Sequence, residues 1–227
     1  MAESQYHLAG ASLASVEGFI RQILGWREYV RGVYLRSMPN YAQVNELNHR
    51  AELPYFYWNA QTKMNCLSTV VQEVLDHGYS HHIQRLMVLG NFANLTGVQP
   101  QFVSDWFNQM YVDAYDWVVL PNVLGMALYA DGGKMSTKPY VSSGLYIDRM
   151  SDYCDGCHYS VKEKSGERAC PFHSLYWHFI DREHERWLKN PRMAQIARNW
   201  SRMDDGAKTE ILAQADSVLE RLRNQTL

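Results

Sequence analysis

Residues 68–92, STVVQEVLDHGYSHHIQRLMVLGNF, carry the pattern that decides the fold class. Apolar side chains recur along this stretch at the spacing of one helix face. They are Val70, Val71, Val74, Leu75, Ile83, Leu86, Met87 and Leu89. Asn91, Gly97 and Pro100 mark the end of the stripe, because Gly and Pro commonly close a helix. We therefore predict that the helical stripe runs from Ser68 to this end.

The same helical period recurs in the rest of the chain. Ser15 with Glu17 behind it predicts a helix start, and the core face of that helix is expected to be Val16, Phe19, Ile20, Ile23, Leu24 and Val30. Further helices are predicted over 103–114, after Asn190 as N-cap with Pro191, and over 211–222. No segment alternates as a strand does, and no repeat appears. The sequence predicts an all-α fold in one compact domain, residues 1–227.

Composition and charge limit the possible locations and partners. The chain has 227 residues, 46% hydrophobic and 20% charged, with a formal net charge of -2. No apolar run approaches the length of a membrane span, and the start MAESQYHLAG lacks the plan of a signal peptide. We therefore expect a cytoplasmic protein without a membrane partner. The net charge argues against general nucleic-acid binding and leaves a local basic patch open.

Three of the four cysteines lie in RMSDYCDGCHYSVKEKSGERACPFH, residues 149–173. Cys154 and Cys157 form a C-x2-C turn, and Cys170 follows on the same loop. In the reducing cytosol such a cluster favours a metal site over disulfides. A zinc site would add His173 or Cys66 as fourth ligand, whereas an iron–sulfur cluster would take all four thiolates. A c-type haem at CDGCH is weaker without an export signal, and spacing alone does not separate zinc from iron–sulfur.

A second constellation is the histidine pair His81 and His82 on an apolar helix. Adjacent helical residues point about 100° apart, so one imidazole can face a pocket while the other hydrogen-bonds elsewhere. Arg85 follows one turn later. A guanidinium on an apolar helix needs a carboxylate, and Asp113 is the expected partner.

Six ordered motifs resemble the C-terminal half of the iron–sulfur bacterial cryptochromes and photolyases, the prokaryotic group related to the (6-4) class. The motifs are ILGWREYVRGVY, LPYFYWNAQTKMNCL, GYSHHIQRLMVLGNF, YVDAYDWVVLPNVLGMALYADGG, TKPYVSSG and RMSDYCDGC, and the resemblance covers roughly residues 12–205. It implies a helical FAD-binding domain with a cysteine-loop iron–sulfur site. The implied activity is light-dependent repair, by electron transfer from FAD, of a flipped pyrimidine photoproduct in UV-damaged DNA.

The resemblance also implies residue roles. It makes Cys66, Cys154, Cys157 and Cys170 ligands of a [4Fe–4S] cluster. Flavin contacts are expected from Arg85, Asp113, Asn91 and Asn122, lesion contacts from His81, His82 and Tyr140, and electron transfer from Trp58 and Trp106. The alternative to a repair enzyme is a non-catalytic iron–sulfur module that binds nucleic acid or a partner protein, or a blue-light photoreceptor.

Three departures from the family pattern bear on these expectations. Val119 stands where relatives carry Glu or Asn facing the flavin N5, so flavin protonation is affected. Phe107 replaces a Tyr that close relatives can carry beside Trp106, which moves the expected end of the electron path to Tyr111. The chain also starts within the family architecture, so the antenna domain and the phosphate-gripping helices are expected from another source, such as a separate N-terminal antenna-domain chain.

Overall fold

The computed structural model describes all 227 residues, which form thirteen α-helices and no sheet. β pairing is limited to two isolated bridges, Ala51 with Val98 and Ser160 with Ala169. The helices are α1 (Ala2–Leu8), α2 (Leu13–Ile20), α3 (Tyr29–Ser37), α4 (Phe56–Asn59), α5 (Asn65–His77), α6 (Asn91–Thr96), α7 (Pro100–Met110), α8 (Asp116–Leu120), α9 (Gly144–Met150), α10 (Pro171–Arg182), α11 (His184–Lys189), α12 (Ala194–Ser201) and α13 (Asp205–Arg223). The predicted all-α fold is confirmed.

Three segments of the helical framework are π-helical: Arg21–Glu28, Gln84–Gly90 and Pro121–Ala127. The first joins α2 to α3, the second leads into α6, and the third continues α8. A π-helix has i→i+5 hydrogen bonds, is rare, and is frequently found at functional sites. These segments therefore mark where the fold departs from its regular period.

The core forms where α10 packs against α6 and α13. Phe92 of α6 meets Phe172 of α10 edge to face, with ring centroids 5.6 Å apart. The segments Gln84–Gly90 and Pro121–Ala127 also pack together, and a Cβ on Gly90 would lie 2.8 Å from the Ala127 Cβ. This close approach places the two π-helical segments side by side.

The stripe that opens at Ser68 is broken in the structure, contrary to the prediction of one continuous run. α5 ends at His77, and Gly78 caps it with φ of 61°. Helical structure resumes at His82. Glycine adopts this left-handed conformation without the steric cost that a Cβ brings. The break separates the core helix α5 from the helix that carries the histidine pair.

The helix that runs from α2 to α3 differs most from expectation. It starts one turn before Ser15, with Ser12 as the N-cap whose hydroxyl accepts from the Ser15 backbone N–H. The predicted core positions Phe19 and Leu24 are 60% and 64% exposed, and Val30 alone of that set is buried. α1 packs against α2 but leaves Phe19 exposed, and Leu24 is also exposed.

No helix of the fold is both long and apolar enough to cross a bilayer.

Candidate functional site

Two adjoining cavities form a cleft between the π-helical segments. They measure about 540 Å³ and 1040 Å³ with the open space at their mouths. His82, Val118 and Asn122 line both cavities. The remaining wall is Gln22, Trp26, Arg27, Val30, Arg85, Leu86, Phe107, Trp117, Val119, Val123, Met126 and Ala127. All three π-helical segments therefore contribute residues to one cleft.

Arg85 and Asp113 pair at this cleft. The guanidinium donates to both carboxylate oxygens, Nη1 to Oδ1 and Nη2 to Oδ2, each at 3.0 Å. Its Nε donates to the Ser80 carbonyl at 2.7 Å, and its carbon lies 4.1 Å from the centroid of the Tyr111 ring. This two-point geometry fixes the guanidinium in one orientation. Two further contacts, to Ser80 and Tyr111, hold the same side chain, so the guanidinium would lose both if it turned into solvent.

The two histidines occupy different environments. His82 lines both cavities, and its pKa is lowered by burial, and then by the charges of His81 and Arg85. The cleft environment therefore favours the neutral form of the His82 imidazole. His81 lies outside the cleft wall, where its Nδ1 accepts from the Ile83 backbone N–H at 3.2 Å. A neutral imidazole with an acceptor at Nδ1 carries its proton on Nε2.

The tryptophans expected to carry electrons differ in exposure. Trp106 is fully buried and donates its indole N–H to the Tyr57 carbonyl at 3.0 Å. Its ring centroid is 5.3 Å from that of Phe107, which lines the cleft. Trp58 is 42% exposed, one residue after Tyr57, whose ring lies 5.2 Å from Trp106. The aromatic contact from the cleft thus runs through Phe107 and Trp106 to Tyr57.

The other predicted flavin and lesion residues divide between cleft and core. Asn122 lines the cleft, with its amide donating to the Val118 carbonyl at 2.8 Å. Asn91 is instead fully buried away from the cleft, and exchanges hydrogen bonds with Ser142 at 3.0 and 3.1 Å. Its amide fixes the segment that follows Tyr140. Tyr140 is half-buried and does not line either cavity.

A second, smaller cavity gathers all four cysteines. It measures about 310 Å³ with its mouth, and Cys66, Cys154, Cys157 and Cys170 all line it as free thiols. Burial is the main cause that raises the pKa of Cys154 to about 11 and of Cys170 to about 12. A Cβ on Gly144 would stand 2.7 Å from the Cys170 Sγ, so this glycine leaves room beside the thiol.

The ligand geometry for a single ion is not formed at this cavity. No group of three or more His, Cys, Asp or Glu side chains is placed to hold a metal ion. Four sulfurs around one zinc at 2.3 Å would stand about 3.8 Å apart. His173, the other candidate zinc ligand, does not line the cavity. The cavity thus gathers four soft thiols around one space, and thiolates ligate zinc as well as iron–sulfur clusters.

Sequence patterns did not single out three residues that connect these sites. Gln84 bonds the His81 backbone, Tyr153 bonds Gln84, and Gly144 touches Cys170. For Gln84 a signal exists, since a Gln three residues after a helix N-cap is typical of a capping box. The other two contacts join residues far apart in sequence, which periodicity does not reveal.

Helical framework and cleft together form an all-α domain. No family model matches the chain. It is 50% identical over 221 residues, 97% of its length, to a (6-4) photolyase of Agrobacterium fabrum, of which it spans 44%. It is also 32% identical over 136 residues to R855, an uncharacterised protein of Acanthamoeba polyphaga mimivirus, which is covered along its whole length. The chain belongs to the bacterial photolyase/cryptochrome family and corresponds to its C-terminal portion.

Proposed function

We propose that this chain is the FAD-binding half of a light-dependent DNA-repair enzyme of the (6-4) photolyase class. The observation that carries the proposal is the cleft, which His82, Arg85 and Asn122 line together with residues of all three π-helical segments. The 50% identity to a (6-4) photolyase over almost the whole chain supports the same assignment. The substrate would be UV-damaged DNA.

The cleft has the composition that a flavin ring requires. Leu86, Phe107 and Val119 offer an apolar wall, and the Arg85–Asp113 pair offers charge at its edge. Ligand sites are commonly apolar with a few fixed polar groups. Reduced FAD, when bound and excited by light, would supply the electron that opens the photoproduct. The chain's own residues hold and orient the ring and keep water from its buried side.

The histidine pair would serve the lesion. His82 is neutral at the cleft wall, so it is able to accept a proton. His81 presents Nε2–H as a donor, because its Nδ1 is occupied by the Ile83 backbone N–H. A donor and an acceptor on adjacent residues suit proton movement to and from a bound base. The antenna and phosphate-binding functions would come from a polypeptide equivalent to the rest of the photolyase.

The cysteine cavity is proposed to hold a [4Fe–4S] cluster. Four free thiols on one cavity and the space that Gly144 leaves beside Cys170 support it. A cluster would reverse the effect of burial on the thiols, since metal ligation requires thiolates. We expect about four irons per chain in the purified protein and their loss in Cys66→Ser. Stoichiometric zinc without iron would contradict the assignment.

The repair proposal is tested with His81→Asn and His82→Asn, each assayed with reduced FAD, UV-damaged oligonucleotide and a fused N-terminal portion. Asn keeps polarity and removes the titratable ring. We expect at least one variant to lose light-dependent repair while helicity and iron content stay at the parent level. If the fused parent protein never repairs DNA and only binds it with salt-dependent affinity, the proposal is wrong.

Val119 favours a second candidate, a blue-light photoreceptor or non-catalytic binding module. This side chain lines the cleft and offers neither a proton donor nor an acceptor. The two functions separate in the variant Val119→Glu. A repair enzyme limited by this position should gain activity, whereas a photoreceptor should change its light response and still leave the damaged DNA unrepaired.

A further inference from the structure

The helix that carries the histidine pair starts with a capping box built on His81. The His81 imidazole accepts from the backbone N–H of Ile83, and the Gln84 side-chain oxygen accepts from the backbone N–H of His81 at 2.6 Å. In the usual form, Ser or Thr occupies the first position and Glu or Gln the fourth. Here the first position is a histidine, so the box that starts the helix also fixes an imidazole.

Gln84 uses both the oxygen and the nitrogen of its side-chain amide in this arrangement. Its nitrogen donates to a Glu73 carboxylate oxygen and to the Tyr153 hydroxyl, each at 2.7 Å. The amide cannot be turned over, because the oxygen must face the His81 N–H and the nitrogen must face the carboxylate. Gln84 is thus held by α5 on one side and by Tyr153 on the other.

Tyr153 belongs to the cysteine loop. It precedes Cys154, lines the four-cysteine cavity, and its carbonyl accepts from the Asn65 amide at 2.9 Å, beside Cys66. A hydrogen-bonded path therefore leads from the wall of the cysteine cavity to the backbone of His81. It contains two side chains, Gln84 and Tyr153, and neither of them lines the cleft.

We propose that Gln84 and Tyr153 are positioning residues that lock the His81 ring with Nε2–H outward and make its orientation depend on the cysteine loop. The use of His81 at a lesion rests on the proposed repair function, but the positioning itself does not. The conformation of the cysteine loop would then influence the His81 ring, because this loop determines the position of the Tyr153 hydroxyl.

The test is Tyr153→Phe, which removes one hydroxyl, with Tyr159→Phe as matched control. Tyr159 lines the same cavity, but its hydroxyl accepts from Arg221, far from the histidines. The readouts are amide hydrogen exchange at His81 and Ile83 and the ring ¹⁵N shifts of His81, which report its tautomer. We expect about 2- to 10-fold faster exchange in Tyr153→Phe, as for the loss of one hydrogen bond, and no change in the control.

Gln84→Met completes a double-mutant cycle, with Gln72→Met on α5 as its control. Gln84→Met should expose the His81 amide to exchange at least tenfold faster and mix the two ring tautomers, because it removes the cap itself. On that background Tyr153→Phe should add nothing. Additive effects, or a Tyr153→Phe spectrum equal to that of Tyr159→Phe, would overturn the proposal. These measurements use no light, flavin or DNA, so they stand apart from any failure of repair.

Discussion

Replacing Arg85 by Met should destabilise the protein about three times as much as replacing its ion-pair partner. The Asp113 side chain is 49% exposed, so the pair with Arg85 is worth about 1 kcal/mol after solvent screening. The bond from Arg85 to the Ser80 carbonyl and the stacking on Tyr111 add about 1 kcal/mol each. Arg85→Met loses all three interactions, whereas Asp113→Asn loses the first.

We therefore expect a cost of about 3 kcal/mol for Arg85→Met and about 1 kcal/mol for Asp113→Asn, or roughly 6–12 °C and 2–4 °C in Tm. Urea unfolding followed by circular dichroism measures both, with exposed Arg36→Met as the control that should change little. Equal costs for the two variants would refute the reasoning. They would mean that the Ser80 and Tyr111 contacts contribute nothing and that Arg85 serves its carboxylate alone.

Two further predictions concern the cysteine cavity and acid stability. Gly144→Ala should lower the free energy of unfolding in urea by about 1–3 kcal/mol and lower the iron content, because the new Cβ would lie 2.7 Å from the Cys170 Sγ. The control Gly18→Ala, on the open face of α2, should be neutral or stabilising. Burial, and then the Arg182 charge, lower the pKa of His49 to about 3, so the unfolded chain binds the extra proton. Stability is complete above the unfolded pKa of about 6.5 and should fall by about 2 kcal/mol between pH 7.5 and pH 5. His49→Gln should flatten this decline, and an unchanged slope would show that His49 is not its source.

Sequence periodicity predicted the buried face of a helix correctly where another element packs against that face. The last helix, α13, buries Ile211, Ala215 and Val218 as the pattern predicted. Periodicity was wrong for Phe19 and Leu24, since an apolar stripe shows which face can be buried but not whether another element covers it. The left-handed turn at Gly78 was also hidden, because apolar residues continue at similar spacing on both sides of it.

The sequence predicted a site contact correctly where the residue type alone determines which partner the side chain needs. Arg85 needed a carboxylate and has Asp113. Asn91 was placed at the flavin, yet a polar residue within an apolar helix can equally serve the backbone of a distant segment, as it does at Ser142. The sequence pattern did not predict the π-helical segments, because their period differs from the 3.6 residues per turn that an α-helical pattern follows.

The hydrogen-bonded path from the cysteine loop to His81 also bears on the order in which the protein assembles. Gln84 and Tyr153 are 69 residues apart in sequence, and Asn65 and Tyr153 are 88 apart. We expect such distant contacts to close after the helices between them have formed, because closing a long loop costs more conformational entropy. A newly made chain would thus present a complete helix pair, α5 and the histidine helix, before the loop with Cys154 and Cys157 returns to it. The last step of folding would be the one that closes the four-cysteine cavity.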